Sequence, residues 1–361
     1  MEQGIGSSLR NHLKHALITG GLEASFVLDR LGLLRQAGGL GAVFTLHHVR
    51  PFVPRPFEPN RHLEISPEFL DLAIRRLRQE GYVFVPLNEL PGLMAAGKST
   101  PRFVAFTLDD ANRNNLEYAL PVFARHDVPF TVFVTQGLSE RTHTMWWETL
   151  AELFGRLDRI SFDFGAGIES VDLAGAGQRQ QAFDRFAALV HRSDEAAAVG
   201  KIDALARSHG LEPLDIVRSL IMDAEELKVL AANPLASLGA HTVSHRALSR
   251  LSDTEAAAEM SASADYIASI TGTHPTAIAY PYGTRDAVSV RDARIAIELG
   301  FTIGVTTQPG TITPAMGPAP TLLPRLSLNG FYQKPRYASA LASGIPMWLE
   351  KARRHRGGPL S

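Results

Sequence analysis

The chain of 361 residues contains no cysteine. Disulfides, thiolate nucleophiles and Cys-ligated zinc are therefore excluded, and any bound metal must sit on histidine and carboxylate. Neither charge is in excess, since 36 Lys and Arg face 37 Asp and Glu. No global field draws the chain to nucleic acid or to an anionic membrane. Long apolar runs are missing as well. The run from Ala16 to Leu22 is interrupted by Thr19, Gly20 and Gly21 and closed by Glu23, so neither an export signal nor a transmembrane segment is expected there. Residues 299–324 carry no charge, but their five prolines rule out a single membrane helix. A cytoplasmic protein is the expectation. No Gly-x-Ser-x-Gly elbow or dinucleotide fingerprint occurs. One phosphate-loop match, Gly92-Leu-Met-Ala-Ala-Gly97-Lys98-Ser99, follows a helical stretch and precedes a strand. That order is the reverse of what cradles phosphate, so Lys98 reads as an exposed turn lysine.

What is present is an ordinary globular composition, 45% hydrophobic and 20% charged, at a length that suits one α/β barrel as well as two small domains. Apolar runs at 42–46, 82–85, 103–108, 130–134, 236–240, 277–280, 302–306 and 322–326 read as strands. Helical patterns at 67–80, 115–126, 253–270 and 290–299 lie between them. Ser66-Pro67 and the capping box Ser252-Asp-Thr-Glu255 mark two helix starts. Such alternation predicts parallel strands, open or closed into a barrel. Residues 140–230 break it and read as a largely helical insertion. Residues 1–38, with Leu9, Leu13 and Leu17 and then Phe26, Val27, Leu31 and Leu34 at helical spacing, read as an amphipathic helical extension packed on the body. Residues 39–345 make up the barrel. Residues 346–361, with Lys351, Arg353, Arg354 and Arg356, read as a basic solvated tail.

Three strand ends carry chemistry. The 103–108 run delivers Asp109-Asp110, the 236–240 run delivers His241-Thr-Val-Ser-His245, and the 277–280 run ends in Tyr280-Pro281-Tyr282-Gly283. In parallel α/β folds the C-terminal ends of strands converge on the site. One carboxylate and two neutral imidazoles form a ligand set with open positions, and the second carboxylate is left over as a base. That combination points to metal-assisted hydrolysis.

These motifs resemble the NodB-type polysaccharide deacetylases, metal-dependent carbohydrate esterases acting on N-acetylated sugars. Thr107-Leu108-Asp109-Asp110-Ala111 matches their Thr-Phe-Asp-Asp-Gly motif, His241-Thr242-Val243-Ser244-His245 their His-Ser/Thr-x-x-His motif, and Pro281-Tyr282 part of their third. The similarity covers about residues 43–325. It implies a distorted (β/α) barrel of about seven strands, a divalent metal, usually zinc, on Asp110, His241 and His245, Asp109 as general base, and the Tyr282 backbone N–H at the oxyanion. The implied partner is an N-acetylated carbohydrate, and the implied activity is removal of its acyl group. A carbohydrate-binding relative of the same fold that no longer cleaves is the alternative.

Three departures accompany the match. The family arginine of the third motif is Ala279 here, with Arg325 or Arg285 available to replace it. The late motif lacks its histidine acid, and Ala111 stands in place of glycine. Val43-Phe-Thr-Leu-His47-His48 ends the first barrel strand in two histidines, and strand alternation points only one of them into the site as a replacement acid. Trp146, Trp147, Tyr280, Pro281, Tyr282 and Arg325 are candidate sugar contacts, with Trp146 and Trp147 equally readable as core of the insertion.

Overall fold

The computed structural model describes residues 2–97, 101–317 and 320–356, with side chains from residue 13 to residue 353 within those spans. Lys98, singled out in the phosphate-loop match, lies outside the described residues. The helix Leu90–Ala96 before it and the strand Phe103–Leu108 after it have the order that excludes a phosphate cradle.

An eight-stranded parallel sheet organises the chain. In order across the sheet lie the strands Ile303–Val305, Ala277–Ala279, Ala236–Ala240, Phe130–Val134, Phe103–Leu108, Gly41–Leu46 and Leu326–Ser327, with Val83–Phe84 beside the start of the Phe103 strand. The segment expected as one strand at 322–326 is divided. Leu323 pairs with Val305, and Leu326–Ser327 then pairs with Phe44 and Thr45. This one segment reaches from the last strand to the first, and the sheet curls into the distorted barrel that the alternation implies.

Period-two alternation sorts each strand between two cores. Val43, Phe103, Ala105, Phe133, Ala279 and Val305 pack together inside the curled sheet. Ala42, Phe44, Leu46, Val104, Phe106, Leu108, Ala240, Ile278 and Tyr280 face the other way, under the helices Pro67–Gln79 and Asp253–Thr271. Both helices start where the caps place them: Ser66 accepts from Phe69 N, and the Ser252–Glu255 capping box is closed.

The insertion is helical, as expected, in Trp146–Arg156, Ala176–Arg192, Glu195–Ser208, Pro213–Leu220 and Ala224–Ala231. It also contains an antiparallel hairpin, Arg159–Asp163 with Ile168–Asp172, that the helical reading missed. Ile160 and Phe162 alternate inward there, and Gly165 and Gly167 make the turn with positive φ. The insertion has its own apolar cluster around Phe154, Phe162, Phe186 and Ile202.

At the N-terminus, the helix Glu2–Arg30 packs on Pro335–Ala342 through Leu22, Tyr337 and Ala340, and Glu23 meets Arg336 and Tyr337. Of the leucines that suggested packing, Leu13, Leu17 and Leu31 face outward; Leu22, between them, carries the contact. The expected solvated tail instead begins as the helix Ile345–Arg356. No helix among the described residues is long and apolar enough to cross a membrane.

Candidate metal and active site

Asp109, Asp110 and His241 follow directly on buried strands, and the backbone beyond them turns sharply. Of the eight non-glycine residues with left-handed backbone among the described residues, five lie in these loops and the one after Ala277–Ala279: Asp110, Ala111, Thr242, His245 and Tyr282. Such conformations cost about 1 kcal/mol or more each and cluster where function demands them. Ala111 has φ 56°, which explains why a glycine is usual in that motif.

Asp110, His241 and His245 converge. Asp110 Oδ1 lies 3.5 Å from Nε2 of each histidine, and the three ligand atoms all fall within 4.8 Å of one another. His241 Nδ1 donates to the Ala279 carbonyl at 2.7 Å, which fixes the tautomer that presents an unprotonated Nε2 to Asp110. Burial lowers the pKa of both histidines, keeping them neutral. Asp110 Oδ1 is buried without a hydrogen-bond partner among the described residues. Burial first, then Asp109, raise its pKa to about 8 in the metal-free chain. An orphaned carboxylate oxygen facing two neutral imidazole nitrogens is a donor set that could hold a cation.

Asp109 sits on the inward register of its strand, two residues beyond Thr107. Arg325 grips it with two hydrogen bonds, Nη1 to Oδ1 and Nη2 to Oδ2, each 2.7 Å. The same guanidinium donates to Thr107 Oγ1 at 3.0 Å and to the Thr306 carbonyl at 2.8 Å. Burial pushes the Asp109 pKa up, but the Arg325 charge, His241 and the Arg325 hydrogen bonds overcome it and hold the carboxyl well below the usual carboxylate range. Of the two arginines available to stand in for the one missing at Ala279, Arg325 is thus the one that meets Asp109, whereas Arg285 is exposed. As a sugar contact Arg325 fails, because it is fully buried behind Asp109.

Strand register separates the two histidines. His47 Nε2 lies 3.9 Å from Asp109 Oδ2 and lines the cavity. Burial lowers its pKa to about 4, with Asp109 opposing that shift. His48 points the other way, buried against Asn114 at 2.9 Å, and is not in the site. Tyr280 likewise belongs to the outer core, its Oη on the Thr321 carbonyl at 2.8 Å, and buried Pro281 is a turn residue. Neither lines the site cavity.

That cavity, about 780 Å3, is floored by His47, Asp109, Asp110, His241 and His245 and walled by Trp146, Trp147, Phe183 and Tyr282. The Trp147 ring is 5.0 Å from that of His245 and half-buried, open to a ligand. Trp146 is buried and donates from Nε1 to Tyr282 Oη at 3.1 Å, so it is both wall and core.

Several residues with no motif of their own hold these loops. Glu259 accepts from Val243 N, Ser244 N and Ser244 Oγ, bracing the His-x-x-x-His turn. Asn115 donates to the His47 carbonyl at 2.7 Å and Asn114 accepts from Val49 N at 2.9 Å, from the π-turn Asn115–Ala119 that opens the next helix and the residue before it. The run Asn112-Arg-Asn-Asn115, polar where a helix should start, was the available signal for these two.

The family description "polysaccharide deacetylase" matches residues 96–166 and 180–303, more than half of the chain. No curated protein matches the sequence. Among solved structures, the Streptococcus pyogenes deacetylase PplD, determined with acetate, is similar with a TM-score of 0.53 and 19% identity, over 80% of this chain and 92% of that one. IcaB from Ammonifex degensii has a TM-score of 0.52 and 17% identity, over 85% and 98%. A polysaccharide deacetylase from Bacillus cereus has a TM-score of 0.51 and 16% identity, over 83% and 68%. These likenesses carry the fold. Taken with the family match, they mean that the chain belongs to the polysaccharide deacetylase family and is a carbohydrate deacetylase.

Proposed function

We propose that the chain removes N-acetyl, or related N-acyl, groups from an amino-sugar-containing glycan or glycoconjugate by metal-dependent hydrolysis. The observation that carries this reading is the pairing of an ionised Asp109 with the orphaned Asp110 oxygen, one carboxylate for proton transfer and one for a cation. Asp110, His241 and His245 would hold a divalent ion, and two neutral imidazoles with one carboxylate suit zinc. A divalent ion held by these three residues would supply Lewis acidity toward the acyl carbonyl and toward water.

The remaining work falls to the chain's own residues. Asp109 takes the proton of the attacking water, and its pairing with Arg325 keeps it ionised and oriented. The Tyr282 backbone N–H, which has no partner among the described residues, donates to the developing oxyanion. As the C–N bond breaks, the nitrogen needs a proton, and His47 is the titratable group beside Asp109 to relay it, directly or across one water. Trp147 offers an apolar ring face to the sugar. The test is metal analysis of the purified protein together with acetate release across a panel of N-acetylated glycans. Stoichiometric divalent metal with release from at least one amino-sugar glycan is expected. A metal-free protein with full turnover would overturn the metal-dependent part.

A further inference from the structure

One carboxylate of the insertion bonds to two of the loops beside the site. Glu195, the first residue of the helix Glu195–Ser208, is buried at 7% exposure, yet neither oxygen is bonded within the insertion. Oε1 accepts from Tyr282 Oη at 2.7 Å, and Oε2 accepts from Ala247 N at 3.1 Å. Trp146, also of the insertion, donates from Nε1 to the same tyrosine oxygen. Tyr282 belongs to the Pro-Tyr-Gly turn, and Ala247 stands two residues beyond His245. One side chain therefore ties two separate catalytic loops together.

Tyr282 needs such a tie. Its φ is 59°, a conformation that a tyrosine adopts only under constraint. Thr307 Oγ1 holds its carbonyl at 2.6 Å, which fixes one side of the turn. The direction of the Tyr282 N–H follows from its φ, and the ring is the lever by which the rest of the protein sets that angle. The ring lies 5.0 Å from that of His245 and is fixed at its far end by Glu195 and Trp146. A buried carboxylate is costly compared with an apolar residue of similar size, so packing alone gives no reason for an acid here.

We infer that Glu195 is a positioning residue, which holds the Tyr282 N–H and the loop after His245 in the geometry that the reaction uses. This rests on the reading of Tyr282 as the oxyanion donor. The full-length, metal-loaded protein is compared with its Glu195→Ala, Glu195→Gln, Tyr282→Phe and Glu195→Ala/Tyr282→Phe variants. Misplacing one oxyanion donor should lower kcat by roughly 10- to 100-fold in Glu195→Ala, with KM within about twofold and metal content unchanged. Glu195→Gln should stay within about threefold of wild type, because its amide oxygen accepts from Ala247 N and its N–H donates to Tyr282 Oη. Tyr282→Phe should lower kcat in the same direction and by no more than Glu195→Ala, and the double variant should be no slower than Glu195→Ala alone, since all three lose the Glu195–Tyr282 link. Unchanged kcat in Glu195→Ala with only a lower melting temperature, or additive losses in the double variant, would overturn the inference. Should wild type release no acetate from any glycan, the functional reading fails, and amide hydrogen exchange across residues 280–284 decides the brace separately. Faster exchange in Glu195→Ala and Tyr282→Phe supports it, and unchanged exchange in both removes it.

Discussion

Arg325 meets Asp109 fork to fork, with both terminal guanidinium nitrogens 2.7 Å from the two carboxylate oxygens and both side chains buried. The arginine comes from the segment that joins the last strand to the first, a place that the family's third motif does not use. The vacated position, Ala279, is not idle: its carbonyl accepts the His241 Nδ1 proton and so sets the ligand tautomer. Arg325→Met should cost about 3–5 kcal/mol of stability in denaturant unfolding, because it strands a buried carboxylate. Turnover should fall at least a hundredfold. Arg325→Lys, which keeps the charge but not the fork, should lie between the two.

The two aspartates should part company on substitution. Asp110→Ala leaves too few donors, and metal measured by mass spectrometry should fall to a small fraction of wild type. Asp109→Asn keeps the shape but loses the basic charge and, with an NH2 facing a guanidinium donor, one of the two Arg325 hydrogen bonds. It should retain metal while kcat drops by roughly a hundredfold or more. Equal metal loss in both variants would mean that their roles are misassigned.

The neighbouring histidines should split in the same manner. His47→Ala removes the group beside Asp109, so kcat should fall at least tenfold with metal retained. His48→Ala breaks a buried contact with Asn114 instead. It should lower stability by about 1–2 kcal/mol and leave kcat nearly untouched. Full activity in His47→Ala would transfer the proton relay to water or another group.

Metal binding should depend on pH with a definite sign. Burial and Asp109 raise the Asp110 pKa to about 8 in the metal-free fold, whereas the unfolded chain releases that proton near pH 4. Between those values the metal-free fold holds more protons than the unfolded chain, so its stability falls as pH rises. A bound cation displaces the proton and cancels that loss. The gap in melting temperature between metal-loaded and chelated protein should therefore widen from pH 5 to pH 8. A gap that narrows over this range would contradict the ligand set.

Much of the fold is legible in the residues because local and global signals agree. The runs at 103–108, 130–134 and 236–240 coincide with strands, and the Ser66 and Ser252 caps start their helices where expected. The convergence of Asp110, His241 and His245 is legible too, since all three residues lie beyond strands whose ends converge. Alternation also separates His47 from His48 correctly. Applied to Tyr280, the same parity would have placed it in the outer core with Ile278, away from the site. Arg325 and Glu195 were harder for a physical reason. Their partners lie 216 and 87 residues away in sequence, and such pairings depend on barrel closure and on the docking of the insertion, which no local pattern encodes. The Arg159–Asp172 hairpin is not legible in the sequence because its period-two signal is short and flanked by strong helical patterns.

One measurement bears most directly on the central claim: acetate release from N-acetylated amino-sugar glycans by wild-type protein as purified, after chelation, and after zinc is restored, beside metal-loaded Asp109→Asn. The expected result is turnover that disappears on chelation, returns with zinc, and stays about a hundredfold or more below wild type in Asp109→Asn. Turnover that survives complete metal removal, or that Asp109→Asn leaves undiminished, would contradict a cation on Asp110, His241 and His245 working with an Asp109 base.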